Sequence, residues 1–382
     1  MLVQGLYDLN ILIDDLNLFE AEGVAFVRAD LYEAIMNPIP VCELEVNVPL
    51  TWLDDRSIVD GTLIEFRLKS EILDLNQIYR YRIFNIKEID ANQQFMHLII
   101  QGVIDFFDGY SHPNEHNIYG SSATVFQNIA KQYKLTPVID STNDNQLWVS
   151  GRNNIYQFLN QTAQYGWVDD TSGMFWCIDR HKFLLYKNLT SLFRQRHENI
   201  WTFLQTPQVD IKKKQYNYTN AKASVQSGTN NLKNEGYGGS DTYFDLLSYS
   251  WKEAHAKKVV AESALINISK ELSKGIAQEW YSFDVGNFHP NYFKAYKQNK
   301  RVLSTYSSYV TLECQFFQPY RLGQIVNYQY IDAQDINNKV RFLSGVFMID
   351  AIHISISLTA ITSTVELVMQ GMNGKPTTRE VY

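Results

Sequence analysis

The alternation of hydrophobic and polar residues predicts β-strands over the first hundred positions. In VCELEVNVPL, at 41–50, apolar residues alternate with Glu43, Glu45 and Asn47, which gives the segment one apolar and one polar face. Similar runs follow at 62–69, 78–89 and 94–102. Because short connections rich in Asp, Asn and Gly separate these runs, the pattern is typical of a β-barrel or a β-sandwich.

The hydrophobic spacing becomes helical in two segments after residue 110. Apolar residues recur at three- and four-residue intervals after Ser121 and Ser122, either of which can cap a helix. The second segment, NNIYQFLNQTAQYG, has the same spacing and ends at Gly166. The strand-like runs MFWCID and KFLLYK follow. These features predict an α/β module within 111–206.

The rest of the chain is again predicted to be rich in strands. The segment 207–226 alternates like a strand, and SGTNNLKNEGYGGSD at 227–241 has the composition of a flexible connector. The apolar spacing at 252–274 predicts a helix, and 227–301 therefore reads as a smaller helical insertion. Strands resume at about 302, and 373–382 is a polar tail.

The last strand-rich region repeats features of the first in the same order. The matched pairs are LEVNVP with LECQF, Gly61 with Gly323, RYRIFNIKEID with SGVFMIDAIHI, and LIIQG with LVMQG. Apolar strands resemble one another, but the shared order favours a true duplication. The predicted fold is therefore mainly β, with two similar antiparallel β-barrels, an α/β insertion module and a smaller helical insertion.

Composition and charge narrow the class of protein. The 382 residues suffice for two or three domains, and 45% hydrophobic with 20% charged residues indicates a folded chain. With 34 Lys+Arg against 41 Asp+Glu, the formal charge is −7, which disfavours a general grip on nucleic-acid phosphates. The beginning lacks the cationic start of a signal peptide, and Val346–Met369 is too polar to span a bilayer, so we expect a soluble protein.

No motif in the sequence indicates catalysis, a metal or a cofactor. The three cysteines lie more than a hundred residues apart, without the spacing of a disulfide framework or a thiolate metal site. His112 and His116 could hold zinc, but a polar loop explains them better because no further ligand is near. Adjacent pairs such as Asp14-Asp15 are more typical of turns than of a glycosidase. The run Lys212–Lys214 favours a strand entry or a contact with an acidic neighbour over a phosphate contact.

One aromatic segment is a candidate assembly contact. In YSFDVGNFHPNYFKAYKQ, at 281–298, Asn and Pro interrupt any regular period, so the aromatic side chains are expected to be exposed. Aromatic residues concentrate at the centres of protein interfaces. The candidate contact residues are Phe288, Tyr292, Phe293 and Tyr296.

The layout of the chain, with its local signals, resembles the baseplate hub proteins of contractile phage tails. It is also similar to the hub part of type VI secretion spike proteins. The local signals are the NNIYQFLNQTAQYG helix, the strand QYNYTNAKASVQSG and the closing SGVFMIDAIHISISLTAITSTVELVMQG. In this resemblance, 1–110 is a first tube-type barrel, 111–206 the α/β module, 207–226 with 302–372 the second tube-type barrel, and 227–301 the insertion.

The resemblance implies a structural virion protein at the tip of the tail, assembled in the host cytoplasm. It implies a homotrimer that contacts the tail tube protein, the central spike protein and other baseplate proteins, with DNA only in transit. Two barrels per chain would let three copies imitate a sixfold ring. Glu43 and Glu45 are candidate acidic residues facing its lumen, where they would repel DNA.

The sequence leaves two other hypotheses about the function open. A tail-associated cell-wall hydrolase would need a cleft with converging carboxylates. A receptor- or glycan-binding β protein would use exposed aromatic rings as stacking platforms. The leading expectation is a trimeric hub without enzymatic activity or cofactor.

Overall fold

The computed structural model shows a mainly β chain with three described helices. It describes residues 2–3, 6–52, 58–91, 94–106, 117–170, 172–194, 200–205, 214–225, 239–245, 250–256, 278–283, 289–292, 295–296, 299, 306–315, 317–329, 331–332, 335–339 and 344–370. The helices are α1 Ser122–Gln132, α2 Ile155–Tyr165 and α3 Leu189–Arg194. The mainly β prediction is confirmed.

The described strands fall along the whole chain. They are β1 Leu2–Val3, β2 Tyr7–Ile13, β3 Leu16–Asn17, β4 Ala25–Ala34, β5 Val41–Pro49, β6 Leu63–Ser70, β7 Leu75–Ala91, β8 Phe95–Ile104, β9 Asn117–Gly120, β10 Thr136–Ile139, β11 Gln146–Val149, β12 Met174–Ile178, β13 Phe183–Asn188, β14 Trp201–Leu204, β15 Gln215–Asn217, β16 Asn220–Val225, β17 Gly239–Asp245, β18 Ser250–Ala256, β19 Gln278–Phe283, β20 Tyr306–Cys314, β21 Ile325–Tyr328, β22 Ile331–Asp332, β23 Asp335–Lys339, β24 Gly345–Ser357 and β25 Ile361–Gln370.

Fifteen of these strands form one large sheet that contains two sets with the same order of pairing. In the first strand set, neighbouring strands are β4-β5-β8-β7-β6, and all four pairings are antiparallel. In the second strand set, the order is β16-β20-β25-β24-β21, again antiparallel throughout. The two sets therefore repeat one topology within a single chain.

The two sets also share local geometry where the fourth and fifth strands of this order meet. The N–H of Gly61 donates to the carbonyl oxygen of Ile83 at 2.6 Å, and that of Gly323 donates to Ile349 at 2.8 Å. Both glycines have positive φ, 87° and 72°, a conformation that glycine adopts without steric cost. A bulge follows Ile83 in β7 and Ile349 in β24. These features make Ile83 and Ile349 equivalent positions.

The strand registers refine the matches made from the sequence. Leu44 lies opposite Ile100 and Leu312 lies opposite Val365, so the match of Leu44 with Leu312 agrees with Ile100 being equivalent to Val365. The match of LIIQG with LVMQG, in contrast, is wrong by four residues, and that of RYRIFNIKEID with SGVFMIDAIHI is wrong by two. Shifts by even numbers keep the same side chains on the apolar face, so the hydrophobic pattern alone does not resolve them.

A direct pairing between β4 and β24 joins the two strand sets. It is antiparallel and runs from Ala34 opposite Ala351 to Arg28 opposite Ser357. On the outer side of each set, β2 lies antiparallel to β6, whereas β14 lies parallel to β21. The sets therefore share a core order but differ in the strand added beside it.

The α/β module has the two helices that the sequence predicts. Ser121 caps α1 by accepting from the N–H of Thr124 at 3.2 Å. Asn154 and Gln157 form a capping box at the start of α2, and Gly166 ends that helix. The helices pack on a small sheet in which β13 lies between β10 and β12. Phe126 of α1 stacks on Tyr186 of β13 with ring centroids 4.0 Å apart.

The described part of the insertion differs from the prediction. Residues Ser250–Ala256 form strand β18, which pairs with β17 as β19 does on the other side, so the helix predicted from 252 is wrong there. Pairing with β17 supplies backbone hydrogen bonds that local helical spacing does not predict. Residues 257–274, the His112–His116 loop, Lys212 and Lys213 lie outside the described residues.

The described residues contain neither a candidate membrane helix nor a candidate metal cluster. No helix among them is long and apolar enough to cross a membrane. Within the same ranges, no group of three His, Cys, Asp or Glu side chains is placed to hold a metal ion. Cys42, Cys177 and Cys314 are buried free thiols, and burial raises the pKa of each.

Candidate functional site

A row of paired polar side chains crosses the joint between the two strand sets. Glu45 of β5 accepts from Arg28 of β4 at 2.5 Å and lies 3.0 Å from the Nε2 atom of His97 on β8. Asp30 of β4 contacts His353 of β24 at 2.9 Å. Burial tends to raise the pKa of Asp30, but the hydrogen bonds from His353 and Ser355, together with the charges of His353 and Arg28, lower it overall. The row therefore links β8, β5, β4 and β24.

The two candidate lumen residues lie on this polar face of the sheet. Glu43 and Glu45 alternate with buried Leu44, as the sequence pattern predicts. Glu43 accepts from Gln101 at 3.1 Å, and Glu45 is held by Arg28 and His97. Hydrogen bonds and ion pairs thus fix both carboxylates. Their position facing a lumen stays a prediction.

A buried charge cluster fastens the α/β module to both strand sets. Arg180, just after β12, pairs through its guanidinium with Glu33 of β4, and its backbone N–H donates to the same carboxylate at 2.8 Å. Its Nη2 donates to the carbonyl oxygen of Tyr320 at 2.6 Å. The guanidinium also lies over the rings of Tyr79 and Phe317, 5.6 and 5.0 Å from their centroids. All three parts of the chain meet at this cation.

Electrostatics explain why the two buried charges of this cluster are paired with each other. Burial raises the pKa of Glu33, and Arg180 opposes that effect. Burial by itself lowers the pKa of Arg180, yet Glu33 and Tyr79 raise it overall. A buried charge needs such partners because its transfer from water costs several kcal/mol per ion. The hydrophobic pattern does not predict this cluster, although the charged pair Asp179-Arg180 directly after the buried run Met174–Ile178 is a usable signal.

A cleft lies between the α/β module and the second strand set. Its volume is about 460 Å³, and it is lined by Val138, Asp179, Phe183, Leu185, Lys187, Trp201, Tyr216, Pro319, Arg321, Leu322, Gly323 and Gln324. The carboxylate of Asp179 accepts from the N–H groups of His181 and Phe183, both at 2.9 Å. Lys187 contacts Asp140 at 2.5 Å, and Arg321 lies over the ring of Phe183. The charged groups of this cleft therefore make structural contacts.

The aromatic candidate contacts are not all exposed as expected. Tyr292 is only 5% exposed and stacks on Tyr165 of α2 at 3.9 Å, and Tyr296 lies beside the same ring at 5.3 Å. The expectation of exposure is wrong for Tyr292, because its surface is used inside the chain. Phe288 and Phe293 lie outside the described residues. A role for this segment in assembly stays a prediction.

Nearby side chains show why this segment packs inward. The Nδ2 atom of Asn299 shares its two N–H groups among the carbonyl oxygens of Ala163, Gln164 and Gly166, at 3.0, 3.0 and 2.8 Å. Ala163 and Gln164 belong to the last turn of α2, where carbonyl groups lack helical i+4 donors, and Gly166 follows the helix. The side-chain oxygen of Asn299 accepts from the N–H of Met174 at 2.9 Å. Asn299 therefore ties the segment to both α2 and β12.

Comparison with known proteins places this architecture among tail proteins. A tail protein from Neisseria meningitidis MC58 matches 95% of this chain and 96% of its own at 10% identity, with a TM-score of 0.56. The 43 kDa tail protein of prophage MuSo2 from Shewanella oneidensis matches 95% and 98% at 7% identity, with a TM-score of 0.57. The chain has the fold of these tail proteins. The resemblance inferred from the sequence is thereby confirmed at the level of the fold.

Sequence comparison alone finds no relative. No family model matches the chain. No curated protein matches it either.

Proposed function

We propose that this protein is a structural component of a phage tail, a trimeric hub that joins a sixfold tail tube to a threefold spike. The observation that carries the proposal is the repeated strand order, β4-β5-β8-β7-β6 and β16-β20-β25-β24-β21, in one sheet. The tail-protein fold supports it, because the two matched proteins are covered over nearly their whole lengths.

The symmetry of the assembly explains why one chain would contain the same unit twice. A threefold assembly of a chain with two equivalent units presents six similar units around the axis. Such a ring can contact a sixfold tube on one side and a threefold spike on the other without an adaptor. The partners of the hub are thus the tube protein, the spike protein and other baseplate proteins at the tail tip.

Each strand set, in this proposal, closes into a tube-type barrel. The first barrel comprises 1–110, and the second comprises 207–226 with 302–372. The α/β module at 111–206 and the insertion at 227–301 lie outside the ring. The buried Arg180 cluster supports this arrangement because it holds the module rigidly against both sets.

The polar sheet face is proposed to line a channel that DNA crosses in transit. Three copies carry a formal charge of −21, three times −7. Glu43 and Glu45 on that face would contribute to a negative wall, which keeps DNA from binding as it passes. A positive potential along the axis of the assembled ring would contradict this part. The protein's role is structural, without catalysis.

The test is the mass and shape of the purified full-length chain. We expect a particle of three times 44.3 kDa by sedimentation over a concentration series. Electron microscopy of that particle should show six lobes around an open centre. A chain that stays monomeric, or that forms a closed twofold dimer, overturns the proposal.

A further inference from the structure

Strands β7 and β24 are equivalent, but one edge that is fully paired in β24 is only partly paired in β7 among the described strands. The edge of β24 is divided: Gly345–Met348 pairs with β21, and the stretch from Ala351 to Ser357 pairs with β4. In β7, Leu75–Arg82 pairs with β6 in the same way. The following stretch, 85–91, pairs with β8 on one side and with no described strand on the other.

Strand β16 has the complementary open edge. Ala29 of β4 lies opposite Leu44, and Ala221 of β16 lies opposite the equivalent Leu312, so β16 corresponds to β4. Strand β4 pairs with β5 on one side and with β24 on the other. Among the described strands, β16 pairs with β20 alone. The chain thus contains one complete pairing of this kind, between β4 and β24. It also contains the two open edges, on β7 and β16, that a second such pairing would need.

We infer that residues 85–91 of β7 in one copy pair antiparallel with β16 in a second copy, in the register of the internal β4–β24 joint. This inference rests on the proposed trimer and names the surface that builds it. Each copy offers one β7 edge and one β16 edge, so the contact is head-to-tail, and three such contacts close the proposed trimeric ring. The occupant of each edge is a second copy of this chain.

Charge complementarity supports the register. In the internal joint, Ser355 of β24 lies opposite Asp30 of β4. Counting from Ile349 and Ile83, and allowing for the second bulge of β7 before Asp90, places Asp90 at the position of Ser355. The residue of β16 at the position of Asp30 is Lys222. Asp90 of one copy therefore faces Lys222 of the next, and opposite charges in such a pair are stabilising.

Exposure of an aromatic ring at the same edge is a second observation. Phe84 is the residue after Ile83 and is 44% exposed. The equivalent position in the second set is Asp350, whose carbonyl oxygen accepts from the N–H of Ile35 at 2.9 Å across the internal joint. A second copy that docks on the β7 edge in the same way would cover Phe84. An open strand edge that carries an exposed aromatic ring is a template for the addition of another strand.

Disulfide cross-linking of the full-length chain tests this contact. Directly opposed residues of an antiparallel pair have Cα atoms roughly 4.5–5.5 Å apart, within the range of a disulfide. We expect the double variant D90C/K222C to give a covalent trimer on a non-reducing gel after mild oxidation. The single variants D90C and K222C should give none. The native cysteines are buried and should not interfere.

The matched control is D90C/A223C, because neighbouring residues of a strand point to opposite faces. It should cross-link at least tenfold less. A trimeric mass without cross-linking of D90C/K222C overturns this contact and leaves the trimer standing. Equal cross-linking of both double variants overturns the register. A monomeric mass for the unmodified chain refutes the proposed function itself.

Discussion

At the scale of single residues, one buried ion pair organises the molecule. Glu33 and Arg180 are 5% and 2% exposed and lie 147 positions apart in the sequence. Their pairing satisfies both charges, and the Tyr320 carbonyl takes a further guanidinium N–H. The stability of this part of the chain therefore depends on a contact that neither residue makes with its own neighbours in sequence.

Removing the cation should destabilise the protein strongly. We expect R180A to lower the free energy of unfolding by about 3–5 kcal/mol, because it leaves the buried carboxylate of Glu33 without its partner. The measurement is denaturant unfolding at a fixed protein concentration. The control is R67A, whose half-exposed side chain pairs with Glu65, a residue that Arg80 also contacts. We expect R67A to cost no more than about 1 kcal/mol. Similar losses for both variants would contradict the role given to Arg180.

At the scale of elements, bulges place particular residues at the joints of the sheet. The bulge after Ile349 inserts Asp350 beside the internal β4–β24 joint. Burial raises the pKa of Asp350 to about 6, and the nearby Glu366 adds to the effect. A folded protein that raises the pKa of a carboxyl group binds the proton more tightly than the unfolded chain does.

This shift predicts a pH dependence with a defined sign. Between pH values of about 4 and about 6, the Asp350 contribution makes stability fall as pH rises, since the folded state holds the proton longer. We expect D350N to remove that slope and to be more stable than the original chain at pH 7 by about 2–3 kcal/mol. Chemical unfolding at several pH values measures this. As the matched control, we expect E366Q to gain less stability at pH 7 than D350N does. An unchanged slope of stability against pH in D350N would refute the assignment of that slope to Asp350.

At the scale of the whole molecule, the described parts share one core. Buried residues of the first strand set, the α/β module and the second strand set, such as Leu44, Phe126 and Leu312, belong to one contiguous hydrophobic cluster. The β4–β24 pairing and the Arg180 cluster connect the same parts by hydrogen bonds and charge. We therefore expect these parts to unfold together.

Hydrogen exchange measures this cooperativity. The slowest amides of β8, β13 and β25 should report the same free energy of opening, because each strand belongs to a different part of one cooperative unit. The R180A change should lower protection in all three strands by a similar amount. Loss of protection confined to β13 would show that the module opens independently.

Local signals explain which predictions succeeded. The start of α1 at Ser121 and the capping box of α2 rely on residues at most three positions apart, so the sequence contains the whole interaction. The alternation in β5 likewise identified its buried face. The predicted helix from 252 was wrong over Ser250–Ala256 because pairing with β17 overrides local spacing.

The sequence by itself determined the mainly β class, the two helices of the module, the polar face with Glu43 and Glu45, and the order of the repeated strands. Only the tertiary structure decided the register of that repeat, the joint between β4 and β24, the burial of Tyr292 and the pairing of Glu33 with Arg180. The physical reason is distance along the chain. Periodicity and capping act over a few residues, whereas register and charge pairing depend on partners that are brought together only when the chain folds.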